Sequence, residues 1–432
     1  ALGYYKYANF LVGAAGDLTG SAFRLAPIVL PLAISFFTFI QIAYLVDTYR
    51  RPHETRKDFG EYLLFVTFFP HLLAGPIVHH GDLMRQFSEP SARYLRSRNL
   101  VVGASIFVVG LLKKTLLADT FSDFVPPVFD AAAAGQSPTF VEAWTGALFY
   151  TLQLYFDFSG YSDMAIGLAR MFGIYFPANF DSPYKATSIV DFWRRWHITL
   201  SSFLRDYIYI PLGGNRKGKL RRYVNLFLTM LIGGIWHGAG WTFVVWGALH
   251  GTYLVVNHAF VALRERLGWN PLSSTALGTL AARAITFVAV VVGWVYFRAP
   301  SLDGAHRILA GMAGLNGVVL QRNYVSELDE LGGLGSFLAG LGLRVGDLSM
   351  LLRPPRELAV LLVAGYGIAW FLPNSGQLFE RFHNEKRSDV EEGVPRWYHW
   401  QPSARWAMCI GVIAAVGLAA VAGHSEFIYF QF

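Results

Sequence analysis

Charge is in short supply in this chain. Of its 432 residues, 15% are Asp, Glu, Lys or Arg and 54% are hydrophobic, and the mean hydropathy is +0.37. One soluble core does not require so many apolar residues, which argues against a protein whose main solvent is water. Cysteine is almost missing. The lone Cys409 lies in the apolar run 407–422, which excludes an intramolecular disulfide framework and leaves no partner for a thiolate metal site. There is no free-standing Gly-x-Ser-x-Gly elbow, so a serine nucleophile of the hydrolase type has no support. No tandem repeat is visible, which argues against a solenoid and against a transporter built from evident repeats.

What is there instead is a series of apolar runs spread over the whole chain. Each bilayer crossing takes about 20 mainly apolar residues, and candidate spans fall at 28–46, 62–78, 100–117, 143–156, 163–176, 224–241, 244–263, 280–297, 358–372 and 407–422. The predicted fold class is all-α: a polytopic integral membrane protein with about ten or more transmembrane helices, plus re-entrant or interfacial pieces, in one domain over 1–432. Prolines and glycines interrupt some runs, as at Phe69-Pro70 and Leu73-Ala74-Gly75-Pro76. Such breaks belong where protein or a cavity surrounds them. The clusters Tyr4-Tyr5-Lys6-Tyr7 and Trp397-Tyr398-His399-Trp400 read as headgroup anchors. The Gly-rich segment 315–356, with Glu327, Asp329 and Glu330, reads as a loop with interfacial pieces. Residue 1 is Ala and no cleavable signal peptide is visible, which leaves the natural start and the total span count open.

The net charge of +7 comes from basic residues in short stretches between apolar runs: Arg50, Arg51, Arg56 and Lys57, then Arg93, Arg96 and Arg98, then Arg216, Lys217, Lys219, Arg221 and Arg222. That is the pattern of cytoplasmic membrane loops, so membrane lipid, not nucleic acid, is the expected partner.

Chemistry concentrates in two places. The first is Asp191-Phe192-Trp193-Arg194-Arg195-Trp196-His197 with Arg205, Asp206 and the 211–216 segment, too many charges for lipid-facing helix. It either lines a polar cavity or lies at the interface as an amphipathic helix, and the two are compatible. The second is Gly233-Gly234-Ile235-Trp236-His237-Gly238-Ala239-Gly240-Trp241, an intramembrane histidine flanked by glycines that leave room for an elongated ligand. His237 is the general-base candidate, the alternative being a histidine bonded to a neighbouring helix. Asp157 and Asp163 invite a paired-carboxylate reading, but intramembrane acids usually find partners, and Arg194 or Arg195 are the expected ones. His71, His79 and His80 have no second cluster at ligand spacing, so no metal is predicted.

The chain resembles the membrane-bound O-acyltransferase superfamily, and within it the bacterial alginate O-acetyltransferase branch. The resemblance runs in order through 32–50 (LAISFFTFIQIAYLVDTYR), 69–77 (FPHLLAGPI), 155–170 (YFDFSGYSDMAIGLAR), 192–216, 235–251 (IWHGAGWTFVVWGALHG), 295–299 (VYFRA) and 425–432 (SEFIYFQF). It implies that His237 is the catalytic histidine and that His197 is the second hallmark polar residue. It also implies a multi-helix body with a funnel through the membrane. Trp236, Gly238 and Trp241 about the first histidine, Arg194, Arg195 and Trp196 beside the second, and Asp157 are then the expected substrate-contacting residues. Related chains begin with further apolar sequence before 4–10, which affects the span count and not the site. The implied activity is O-acetylation of an exported polysaccharide, alginate or similar. Cytoplasmic acetyl-coenzyme A is the donor substrate, no cofactor is bound, and a periplasmic or membrane-anchored partner presents the polymer. The implied location is the bacterial inner membrane, crossed many times. D-Alanyl transfer to teichoic acid is the rival within the superfamily, favoured less because of the Pro211-Leu212-Gly213-Gly214-Asn215-Arg216 match. A secondary transporter is the rival from another class.

Overall fold

The computed structural model describes residues 1–50, 58–72, 75–89, 94–271, 274–321, 333, 336–337, 340, 343–351, 353–380 and 398–421. Arg51, Arg56, Lys57, Arg93, Leu73, Ala74, Glu327, Asp329, Glu330, Trp397 and the 425–432 motif lie outside them. In chain order the helices are α1 (Ala8–Thr19), α2 (Ile34–Arg50), α3 (Phe59–Thr67), α4 (Phe69–Leu72), α5 (His80–Phe87), α6 (Ser97–Leu112), α7 (Asp119–Ser122), α8 (Pro126–Ala133), α9 (Phe140–Met171), α10 (Ile189–Arg195), α11 (Ile198–Leu204), α12 (Gly218–His237), α13 (Trp241–Arg266), α14 (Ala276–Arg298), α15 (Leu302–Met312), α16 (Pro355–Phe371), α17 (Ser375–Leu378) and α18 (Ala404–Ala420). The chain is helical as predicted. Its strands are β1 (Val319–Gln321) and β2 (Arg344–Gly346), paired in parallel within the segment read as a loop.

α9 organises the molecule. Thr139 and Glu142 form a capping box at its start, and most residues from Glu142 to Arg170 are buried, as expected for a mainly apolar helix surrounded by protein. Two of the predicted spans, 143–156 and 163–176, are therefore one helix through Met171. Gly160 does not turn the chain. It lets α6 approach instead, since a Cβ there would meet the Gly110 carbonyl oxygen at 2.7 Å, and one on Gly167 would meet that of Gly103 at 2.6 Å. This is the close backbone contact that small residues permit between membrane helices.

The seam brings a π-helical turn, Lys113–Ala118, against the middle of α9. Lys114 Nζ stands 2.7 Å from Asp157 and 2.6 Å from Asp119, and Lys113 Nζ stands 2.6 Å from Asp163. The two acids thus pair with lysines of the neighbouring helix, not with Arg194 or Arg195. The lysines lie outside the motifs the resemblance singled out. Arg195 instead binds Asp191 at 2.8 Å and Asp181 at 3.5 Å, and Arg194 is exposed.

The predicted break in span 62–78 is real: α3 ends at Thr67, Phe68 is extended, and α4 covers Phe69–Leu72. Of the expected interfacial clusters, Tyr4 and Tyr5 are exposed. His399 and Trp400 are buried, Trp400 packing on Phe379, so those two residues belong to the core and are not anchors. Large apolar side chains such as Ile285, Val363, Met408 and Leu418 face outward on several helices. Among the described residues, two helices, Ser97–Ser122 and Ala276–Arg298, are by length and composition sufficient to cross a bilayer, and Ala404–Ala420 is a shorter apolar helix.

Candidate active site

The end of α12 and the start of α11 come together at one cavity that α9 also lines. α12 packs on α13 so tightly that a Cβ on Gly234 would meet the Phe243 carbonyl oxygen at 2.5 Å, and this contact fixes the last turn, which carries Trp236 and His237. Lys6 closes that turn from the N-terminal segment: its Nζ donates to the carbonyls of Trp236 (2.5 Å) and His237 (3.1 Å) and to Ser35 Oγ (3.0 Å). An ammonium at a helix C-terminus answers both the orphan carbonyls and the dipole. Gly238 follows with extended backbone and no room for a side chain, since a Cβ would lie 2.1 Å from the Phe243 ring.

His197 is held differently. It joins α10 to α11 with φ +43°, a left-handed conformation rare for a histidine. Such backbone costs about 1–3 kcal/mol and persists only where its surroundings over-determine it. Here Asn179 does so. Its Oδ1 accepts from the backbone N–H of Thr199 (3.3 Å) and from Thr199 Oγ (2.9 Å), which identifies that atom as the oxygen. His197 Nδ1, 3.1 Å away, must then carry a proton to donate to it, so Nε2 holds the lone pair. The Asn179 amide in turn donates to Ser162 Oγ on α9 at 3.1 Å.

The two histidines, forty residues apart in sequence, line one small cavity with Leu154 and Phe158 of α9, Trp196, Trp246 of α13, and Trp294 and Phe297 of α14. His237 lies edge-on to Trp246 and Phe297, both at 5.1 Å, and His197 edge-on to Phe158 at 4.6 Å. Both imidazoles are buried, and His237 Nδ1 and His197 Nε2 have no hydrogen-bond partner. Buried polar atoms are normally satisfied, and each of these two cavity-lining histidines keeps one ring nitrogen available for a ligand. The cavity measures about 10 Å³, room for about one water.

Of the expected contact residues, Trp196 lines this cavity. Trp236 turns away and stacks on Phe39 at 4.5 Å, and Trp241 is half-exposed against Phe10 at 5.5 Å. Asp157 lies on another face of α9 with Lys114, and Arg194 is on the surface. The sequence reading missed Asn179, Lys6, Trp246, Trp294 and Phe297. Only Phe297 in the 295–299 motif and Trp246 in the 235–251 motif carried any signal.

His79 and His80 meet Asp47 in a separate cluster, while His71 lies apart among Phe65, Phe68 and Phe176.

Residues 51–296, which include both cavity histidines, match the family model for MBOAT, the membrane-bound O-acyltransferase family. The chain is 46% identical over 343 residues to the peptidoglycan O-acetyltransferase of Helicobacter pylori, covering 74% of this chain and 63% of that protein. It is 39% identical over 435 residues to the probable alginate O-acetylase AlgI of Pseudomonas putida, covering 100% of this chain and 82% of that protein. It is also 30% identical over 288 residues to the teichoic acid D-alanyltransferase of Streptococcus thermophilus, covering 62% and 68%. The chain therefore spans less than two thirds of the Helicobacter protein's length.

Proposed function

The chain belongs to the membrane-bound O-acyltransferase family, and from that premise we propose that it is an O-acetyltransferase acting on a bacterial envelope or exported polysaccharide from within the membrane. The observation that carries the reading is the pair of buried imidazoles, each with an unpartnered ring nitrogen, at one aromatic cavity. Two relatives whose names state O-acetylation, one of peptidoglycan and one of alginate, support acetyl as the group transferred and a polysaccharide as its destination. The D-alanyl relative matches less of this chain at lower identity, which ranks that transfer second.

In the proposed reaction His237 takes the proton of an acceptor hydroxyl, and the oxygen attacks the thioester carbonyl of acetyl-coenzyme A. The tetrahedral intermediate collapses, the C–S bond breaks, and the thiolate leaves and is protonated. An apolar wall around the base keeps water from competing and strengthens every charge interaction inside. Donor entry from the side of the basic 213–222 segment, whose last five residues open α12, a multi-pass body in the inner membrane and delivery through a periplasmic or membrane-anchored partner complete the proposal.

The test is reconstitution in liposomes with acetyl-coenzyme A and an acceptor polysaccharide, with and without the candidate partner. Free thiol and polymer-bound acetate are the readouts. His237→Ala is expected to lower acetyl transfer by about 10²–10⁴-fold, the usual worth of a general base, at normal insertion. Turnover retained in that variant would reject the base assignment. Flux of intact polymer or donor without thiol release would favour a transporter.

A further inference from the structure

A second constellation stands apart from the histidine cavity, where α2, the start of α5 and the π-helical turn Arg205–Tyr209 after α11 converge. Asp47 Oδ2 lies 2.9 Å from His79 Nε2 and 3.4 Å from His80 Nδ1. The Tyr207 hydroxyl donates to Asp47 Oδ2 at 2.5 Å and stands 2.9 Å from His79 Nε2. One carboxylate oxygen and two imidazole nitrogens thus fall within 4.8 Å of one another.

We propose that Asp47, His79 and His80, closed by the Tyr207 oxygen, bind a divalent transition-metal ion, with zinc the ion that best suits the donor set. Two imidazoles, one carboxylate and one further oxygen are ligands zinc accepts, and with bonds of about 2.0–2.2 Å the atoms of a tetrahedral site stand about 3.3–3.5 Å apart. Relative to that geometry the Tyr207 and His79 contacts to Asp47, at 2.5 and 2.9 Å, would lengthen, with the Tyr207–Asp47 hydrogen bond giving way to the ion. His80 supplies an independent sign. Its side chain is 5% exposed, packed edge-on against Tyr44 at 5.3 Å, and its Nδ1 has no hydrogen-bond partner although it faces the Asp47 carboxylate. An ion there would satisfy a buried nitrogen that the protein leaves unsatisfied.

Access is provided as well. His79 and Tyr207 line an open chamber of about 630 Å³ that also carries Asp82, Glu89 and Asp206, acids that draw cations toward it, with Arg85 as a counterweight. The three ligand segments come from 47, 79–80 and 207, spacing that hides the site from a search for local motifs.

Such an ion would act as a clip. The strand of chain leading to His79 already bonds α11, since the Ile77 backbone N–H donates to Thr199 Oγ at 3.0 Å, and Thr199 is the residue that shares Asn179 with His197. Metal binding would fasten α2 and α5 to the segment that carries His197. The proposal does not depend on the reaction assigned above.

The experiment uses the full chain purified in detergent, stripped with chelator, returned to zinc and desalted, with metal counted per chain. One equivalent of zinc is expected. Asp47→Asn and His80→Gln are each expected to weaken zinc by more than the about 10–100-fold that loss of an outer-shell partner costs, while His71→Gln leaves it unchanged. Cobalt replacing zinc should give the intense visible bands of four-coordinate cobalt, reduced in Tyr207→Phe. A chelated and unchelated chain with the same melting profile in Asp47→Asn keeps a folding defect from being mistaken for lost ligation. Zinc in the wild type no higher than in a His79→Gln/His80→Gln double variant, or a six-coordinate cobalt spectrum, would overturn the site.

Discussion

Asn179 decides what His197 can do. By accepting from Thr199 twice and from the imidazole once, it sets both the tautomer and the left-handed turn. Asn179→Ala leaves those donors without an acceptor in a buried place, which costs about 1–3 kcal/mol for an unsatisfied group. The expected outcome is a lower melting temperature together with a fall in acetyl transfer larger than the loss of folded protein explains. Thermal unfolding and turnover per folded chain measure the two effects. Wild-type turnover in that variant would show that the ring is oriented by something else. Lys6 is a parallel case at His237, acting on the carbonyls behind the ring and not on the ring itself.

At the scale of helices, the α6–α9 seam joins two glycine contacts to two buried ion pairs. Lys114→Met removes the ammonium 2.7 Å from the Asp157 carboxylate, and breaking a buried pair from one side costs about 3–5 kcal/mol. Adding Asp157→Leu to it is expected to restore part of that loss, because the Asp157 charge is gone while Asp119, 2.6 Å from the same ammonium, still lacks its partner. Denaturation of the three proteins in one detergent checks it, and a double variant no more stable than the single one would refute the pairing. The same seam shows what the sequence exposes and what it hides. Apolar run length placed α13, α14, α16 and α18 within about four residues and α2 and α12 within about six, because those helices answer to local composition. The fusion of 143–156 with 163–176 was hidden, since Gly160 reads alike as a break and as a contact point, and only the neighbouring helix decides. Both cavity histidines were legible as polar residues in apolar surroundings. Their aromatic wall was not, because in a chain this rich in aromatics a packing ring and a cavity ring have the same local signature.

For the whole molecule, orientation is the open physical variable, and the basic loop tests it. Residues 215–220 are exposed, and Asn215 accepts from the Tyr209 hydroxyl at the edge of that surface. A cysteine at position 215, introduced as Asn215→Cys with Cys409→Ser, is expected to resist membrane-impermeant maleimide in intact cells and to react after lysis, as a cytoplasmic loop would. Labelling from outside would invert the topology. The cavity at the two histidines has a consequence of its own. A space that holds about one water cannot hold a thioester carbonyl and an attacking oxygen, so the proposed transfer requires the aromatic wall to open. On that proposal, an affinity measured for acetyl-coenzyme A is its intrinsic affinity multiplied by the fraction of molecules whose wall stands open. Binding constants will therefore understate how well the reacting groups are held once they are inside.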